Sequence, residues 1–121
     1  MSLDPAQSLE VTTEMVGAAQ VVRVSGRLDT TTVEAFDAQM LGITSVDGAR
    51  LALDLAHVSY VSSAGLRSLL MILKQLKAHG GRLVLAALHP RVKDILEIAG
   101  FTTMFTITPS VDVAVATLQS N

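Results

Sequence analysis

Few side chains in this sequence have the chemistry to act on a substrate. There are three histidines, no cysteine and no tryptophan. Two adjacent serines, Ser62 and Ser63, stand in the segment YVSSAGLRSLL, between an apolar run and a helix-like stretch. A nucleophilic serine needs a base, and the base needs a third group to orient it. His57 falls in the loop expected before the serines, His79 at an expected helix end and His89 before a proline, and none makes such an arrangement. The serines lack the G-x-S-x-G context of a hydrolase elbow. No His-x-His or H-E-x-x-H spacing occurs, and GLR and GGRL are too short for a phosphate-binding loop. No catalytic residue, metal site or cofactor is therefore expected, and the chain is not read as an enzyme.

Two stretches remain. A serine hydroxyl can cap a helix by accepting an orphan backbone N–H, a contribution of about 1 kcal/mol. That accounts for one serine of the pair. It leaves Gly65 unexplained, because glycine within a helix costs about 1 kcal/mol relative to alanine. A glycine there permits close approach of another backbone, from within the fold or from a partner. The second stretch is Gly26-Arg27-Leu28-Asp29. Asp29 either helps cap the next helix or stands at the same sheet end as Ser63. In the second case its carboxylate could order the serine loop, hold a metal-nucleotide carried by a partner, or repel a phosphate. Arg67, Lys74 and Lys77 read as a solvated helix face.

The elements that must hold these residues follow from periodicity. LEVTTEMV and QVVRVSG are β-branched runs forming a hairpin around residues 17–19, with Gly26 ending the second. Val33, Phe36, Met40, Leu41 and Ile43 recur at helical spacing behind cap candidates Thr30 to Thr32. RLALDL reads as a short strand, and Leu66, Leu69, Leu70, Leu73 and Leu76 describe an amphipathic helix stopped at residues 79–81. RLVLAAL is a strand covered on both faces. His89-Pro90 opens a helix, FTTMFTIT holds a short strand, and a terminal helix follows Pro109. This order predicts an α/β fold: one mixed sheet of four to five strands with about four helices packed on it. Sites in such folds lie at the carboxyl ends of strands, which is where Ser62 and Ser63 fall.

The 121 residues suffice for one domain. It is expected over residues 9–121, behind a flexible segment 1–8. A net charge of -2 and 3% aromatic residues give no attraction to nucleic acid and no base-stacking surface. The apolar runs are far shorter than the roughly 20 residues a membrane-spanning helix needs, and MSLDPAQS lacks the pattern of a signal peptide. A cytoplasmic protein without membrane insertion is expected.

Three segments resemble one family. SGRLDTTTVEAF is similar to the G-x-L-D-x-x-[ST] segment of STAS domains, the sulphate-transporter and anti-sigma-factor-antagonist group. LALDLAHVSYVSSAGLRSLL resembles their strand, loop and D-S-S-G-L helix start. GGRLVLAALHPRVKDILEIAGFTTMFTITPSVDVAVATL resembles their closing strand and helices. The resemblance covers roughly residues 9–118 and implies a STAS-type domain. It further implies a bacterial anti-sigma factor antagonist whose partner is an anti-sigma factor serine kinase, which switches it off by phosphorylation. Carried over by position, Ser63 is the phosphorylated residue. Ser62 takes the place of the family's aspartate, Ala64 that of the next small residue, and Gly65 that of the glycine. Asp29 matches the acidic residue near the site. The partner-binding set implied is Asp29, Ser62, Ser63, Ala64, Gly65, Leu66 and Arg67, with weak homodimerisation left open. Two other roles within the family remain open: a non-phosphorylated adaptor subunit of a lipid-transport complex, and a nucleotide-binding module.

Overall fold

The computed structural model describes residues 9–119, so the segment 1–8 lies outside the described residues. Strands β1 (Leu9–Val16) and β2 (Ala19–Leu28) form the hairpin, and helix α1 (Val33–Thr44) leads to β3 (Arg50–Val61). Helix α2 (Ser63–Ala78), β4 (Arg82–Ala86), α3 (Pro90–Ile98), β5 (Thr106–Thr108) and α4 (Val111–Gln119) complete the chain. The expected α/β order is present in full.

The strands lie side by side in sequence order, with β1 antiparallel to β2 and every later pair parallel. Crossovers between neighbouring parallel strands are right-handed, so successive ones stack their helices on the same face. The packing bears this out. Phe36 and Met40 of α1, Leu69, Ile72 and Leu76 of α2, and Val92 and Leu96 of α3 share one core with Val22, Leu53 and Leu85 of the sheet. The other face is closed by α4, whose Ala114 and Leu118 pack on Ala19, Val21, Ala52, Val84 and Ala86. Small side chains on that face let the helix approach closely. Gln119 then ties the helix to the hairpin, donating from Nε2 to the carbonyl of Val16 at 3.1 Å and accepting from the N–H of Ala18 at 3.2 Å.

Three strand boundaries differ from the sequence reading: β4 ends at Ala86 and not at Leu88, and one cause explains the other two. β2 runs past Gly26 to Leu28, and β3 runs past Leu55 to Val61, so His57 is on a strand and not in a loop. The pairing of β2 with β3 shifts register twice, between Arg23 and Ser25 and between Gly26 and Arg27. Each shift inserts an extra residue into β3, as a β-bulge does. Gly26 takes a φ of 121°, a backbone angle that favours glycine, so it marks an irregularity within the strand and not its end. At the first bulge Asp54, itself buried, accepts a hydrogen bond from the N–H of Ala56 at 3.0 Å. The extension carries β3 directly to Ser62, the residue before α2.

Candidate functional site

Leu28 and Val61 are register partners on adjacent parallel strands, so the chain leaves both strands at one carboxyl edge of the sheet. The N–H of Ser62 donates to the carbonyl of Leu28 at 2.9 Å, fixing the junction to β2. Ser62 keeps an extended backbone (φ -83°, ψ 177°), and α2 begins at the next residue. That makes Ser62 the cap: its Oγ accepts from the N–H of Gly65 at 3.3 Å. Ser63 occupies the first helical position, is exposed, and makes no side-chain hydrogen bond among the described residues. Its own N–H and that of Ala64 are among the donors that a helix start leaves without intrahelical partners. Two serines that look equivalent in the sequence have different surroundings.

Gly65 is buried, and the backbone approach it permits is internal. A Cβ built at this position would lie 2.5 Å from the carbonyl oxygen of Leu28 and 2.8 Å from Cγ1 of Val61. The glycine lets the first turn of α2 rest on the end of β2, and so shapes the surface without contributing to it. Leu66 is half-buried against the core, Ala64 is partly covered, and Arg67 is exposed one turn beyond Ser63.

Asp29 stands at the same edge, one residue past Leu28. Its Oδ1 accepts from the hydroxyl of Thr31 at 2.7 Å and from the N–H of Thr31 at 3.0 Å, while Oδ2 accepts from Nε of Arg27 at 3.4 Å. The Thr31 hydroxyl chiefly, then its N–H and Arg27, hold this carboxyl below the ordinary carboxylate range, against the opposing effect of partial burial. Thr32 closes the loop: its hydroxyl accepts from the N–H of Asp29 at 3.0 Å and donates to the carbonyl of Arg27 at 2.8 Å. Asp29 makes no hydrogen bond to either serine, so it presents fixed negative charge beside the serine loop and does not order it. A depressed carboxyl pKa lends stability above the unfolded value near about 4, and that stability is lost as pH falls through the lower folded value. Replacing Thr31 by valine should move the Asp29 transition upward in an NMR carboxyl titration. An unmoved transition would show that the hydroxyl is not the main cause.

Sequence reasoning missed two members of this surface. The guanidinium of Arg27 lies 4.5 Å from the centroid of the Tyr60 ring, and the two residues are register partners across β2 and β3. The stack braces Arg27 where it also meets Asp29. Both residues were in view, Arg27 inside SGRLD and Tyr60 opening the serine segment, yet only the register reveals the pair.

Two of the three histidines are held away from the serines. Nδ1 of His79 lies 2.9 Å from Asp47 beyond the far end of α2, and Nδ1 of His89 accepts from the N–H of Arg91 at 3.2 Å to cap α3. His57 pairs in register with Ser25. Among the described residues no group of three or more metal-ligating side chains is assembled, and no helix is long and apolar enough to cross a membrane.

Comparison with known proteins places this geometry in context. The model of the STAS domain matches residues 10–114. BtrV of Bordetella bronchiseptica, whose name assigns it provisionally as an anti-sigma factor antagonist, is 30% identical over 112 residues, covering 93% of this chain and 97% of that protein. The solved structure of an anti-sigma factor antagonist from Mycobacterium paratuberculosis shares the fold with a TM-score of 0.83 at 24% identity, covering 98% of this chain and 100% of that one. The Bacillus cell fate determinant SpoIIAA in its phosphorylated form shares it with a TM-score of 0.68 at 21% identity, covering 90% of this chain and 99% of that one.

Proposed function

The chain belongs to the STAS domain family, and on that premise we propose that it is an anti-sigma factor antagonist switched by phosphorylation of Ser63. The observation that carries this reading is the division of labour between the serines. The Ser62 hydroxyl is used by the fold as a helix cap, whereas the Ser63 hydroxyl is exposed and uncommitted. Serine and aspartate are both favoured caps. Ser62 can therefore stand where the family pattern has an aspartate and still hold the helix start in place.

In the unmodified state the edge formed by Asp29, Ser62, Ser63, Ala64, Leu66 and Arg67, with Gly65 beneath it, docks an anti-sigma factor that is also a serine kinase. The sigma factor is thereby displaced. Phosphate transfer to Ser63 adds about -1.5 to -2 charges at one point of that surface. The N–H groups of Ser63 and Ala64 at the start of α2 face that charge and stabilise it, so the domain keeps its fold. The docked partner meets a new dianion beside Asp29, whose carboxylate is already held ionised. Repulsion and desolvation at one spot then release the complex.

The test is to incubate the protein with its cognate kinase and ATP and to map the phosphate by mass spectrometry. Label on Ser63 is expected. Label confined to Ser62, or none on either serine, would overturn the assignment.

A further inference from the structure

Helices α1 and α2 lie side by side on one face of the sheet. Asp37 and Met40 of α1 line a narrow groove with Ser68, Met71, Ile72 and Gln75 of α2, and the hydroxyl of Thr44 donates to Oε1 of Gln75 at 2.8 Å. Each helix runs from the carboxyl edge of one parallel strand back to the start of the next, so the two are parallel, with Asp37 level with Ser68 and Thr44 with Gln75.

Their charges are segregated. The sequence of α1, VEAFDAQMLGIT, carries Glu34 and Asp37 and no basic residue. The sequence of α2, SAGLRSLLMILKQLKA, carries Arg67, Lys74 and Lys77 and no acidic residue. Glu34, Asp37, Arg67 and Lys74 are all exposed and join no ion pair among the described residues. Helical spacing puts Glu34 and Leu41 on the outer face of α1, with Asp37 at its groove edge, and puts Arg67, Met71 and Lys74 in one row on the outer face of α2. Leu41 and Met71 are half exposed, at 56% and 49%. The outward surface is thus an acidic ridge beside a basic ridge, with an apolar residue in the middle of each.

We propose that this face is the interface between two copies of the chain. A two-fold axis running along the helix pair lays α1 of one copy against α2 of the other, in parallel. Glu34 and Asp37 then meet the Arg67 level, Leu41 meets the Met71 level, and Lys74 meets the carboxyl end of α1, the negative end of its dipole. The symmetry repeats every match twice, as an isologous interface requires. The occupant is a second copy because one chain carries both halves of the pattern at matching heights. The charge pairs set register and salt dependence, and the apolar residues between them supply the buried centre. The proposal stands apart from the phosphorylation switch and shares only Arg67 with it.

Sedimentation equilibrium of the full chain over the micromolar to millimolar range tests it. A monomer–dimer equilibrium that weakens with added salt is expected. The double variants Glu34→Lys with Asp37→Lys, and Arg67→Glu with Lys74→Glu, should each raise the dissociation constant about tenfold or more. An equimolar mixture of the two should recover association as a heterodimer. All four positions are exposed, and circular dichroism checks the fold. Because the chain has no cysteine, a second readout needs no charge reversal. Copies carrying Leu41→Cys mixed with copies carrying Met71→Cys should form the mixed disulfide faster than a control pair in which Met15→Cys replaces Met71→Cys. A wild-type monomer throughout the range, a mixture no tighter than its components, or a disulfide rate equal to the control would each overturn the proposal.

Discussion

Gly65→Ala should lower the stability of the domain by about 2 kcal/mol, although the same change in an open helix would raise it by about 1 kcal/mol. The added methyl falls 2.5 Å from the carbonyl oxygen of Leu28 and 2.8 Å from Val61. The first of these is backbone, so it cannot rotate away. It is also the acceptor of the Ser62 N–H at 2.9 Å, so moving it strains the joint between β2 and α2. Overpacking of this kind costs about 1–3 kcal/mol, and the backbone contact places Gly65 toward the upper end before the helical gain is subtracted. Valine should be worse, because its branched Cβ adds bulk at the same point and is less favourable in a helix. Urea denaturation of wild type and both variants measures the order. A midpoint for Gly65→Ala at or above that of wild type would show that the contact with Leu28 is slack.

The order of strands and helices was legible because most segments keep a clean period: alternate leucines in RLALDL, three-and-four spacing through α2, proline and glycine bounding α3. The length of β3 was not. Its buried hydrophobic residues from the first bulge onward are Leu55, Val58 and Val61, spaced by three. Inserted residues break the alternation by which a strand is recognised. Gly26 read as a stop for a related reason, since its backbone angle becomes visible only in the structure.

The site was legible as a place and only partly as a mechanism. Strand-to-helix alternation put Ser62, Ser63 and Asp29 near one sheet edge, and the register of Leu28 with Val61 agrees. Which serine caps the helix was beyond the sequence, because both are good caps and the choice rests on where the backbone turns helical. Close approach at Gly65 could equally have been to a partner, and only the position of the Leu28 carbonyl decides for the fold. The Arg27–Tyr60 stack lies across a register shift, where counting along either strand does not predict the neighbour.

The second large effect is at Ser63. Ser63→Ala removes an exposed hydroxyl that makes no hydrogen bond among the described residues, so it should melt close to wild type and bind the kinase constitutively. Ser62→Ala removes the cap and should cost about 1 kcal/mol of stability, with the phosphorylation site intact. Ser63→Asp puts a carboxylate where the partner meets a neutral hydroxyl. It carries less charge than phosphate, yet should weaken binding about tenfold or more.

The most direct measurement of the switch is the affinity of wild type, Ser62→Ala, Ser63→Ala and Ser63→Asp for the cognate anti-sigma factor kinase, by isothermal titration calorimetry without ATP. The account predicts that wild type and Ser63→Ala bind alike, that Ser62→Ala weakens binding less than Ser63→Asp does, and that Ser63→Asp falls away. Ser63→Asp binding as tightly as wild type would contradict it.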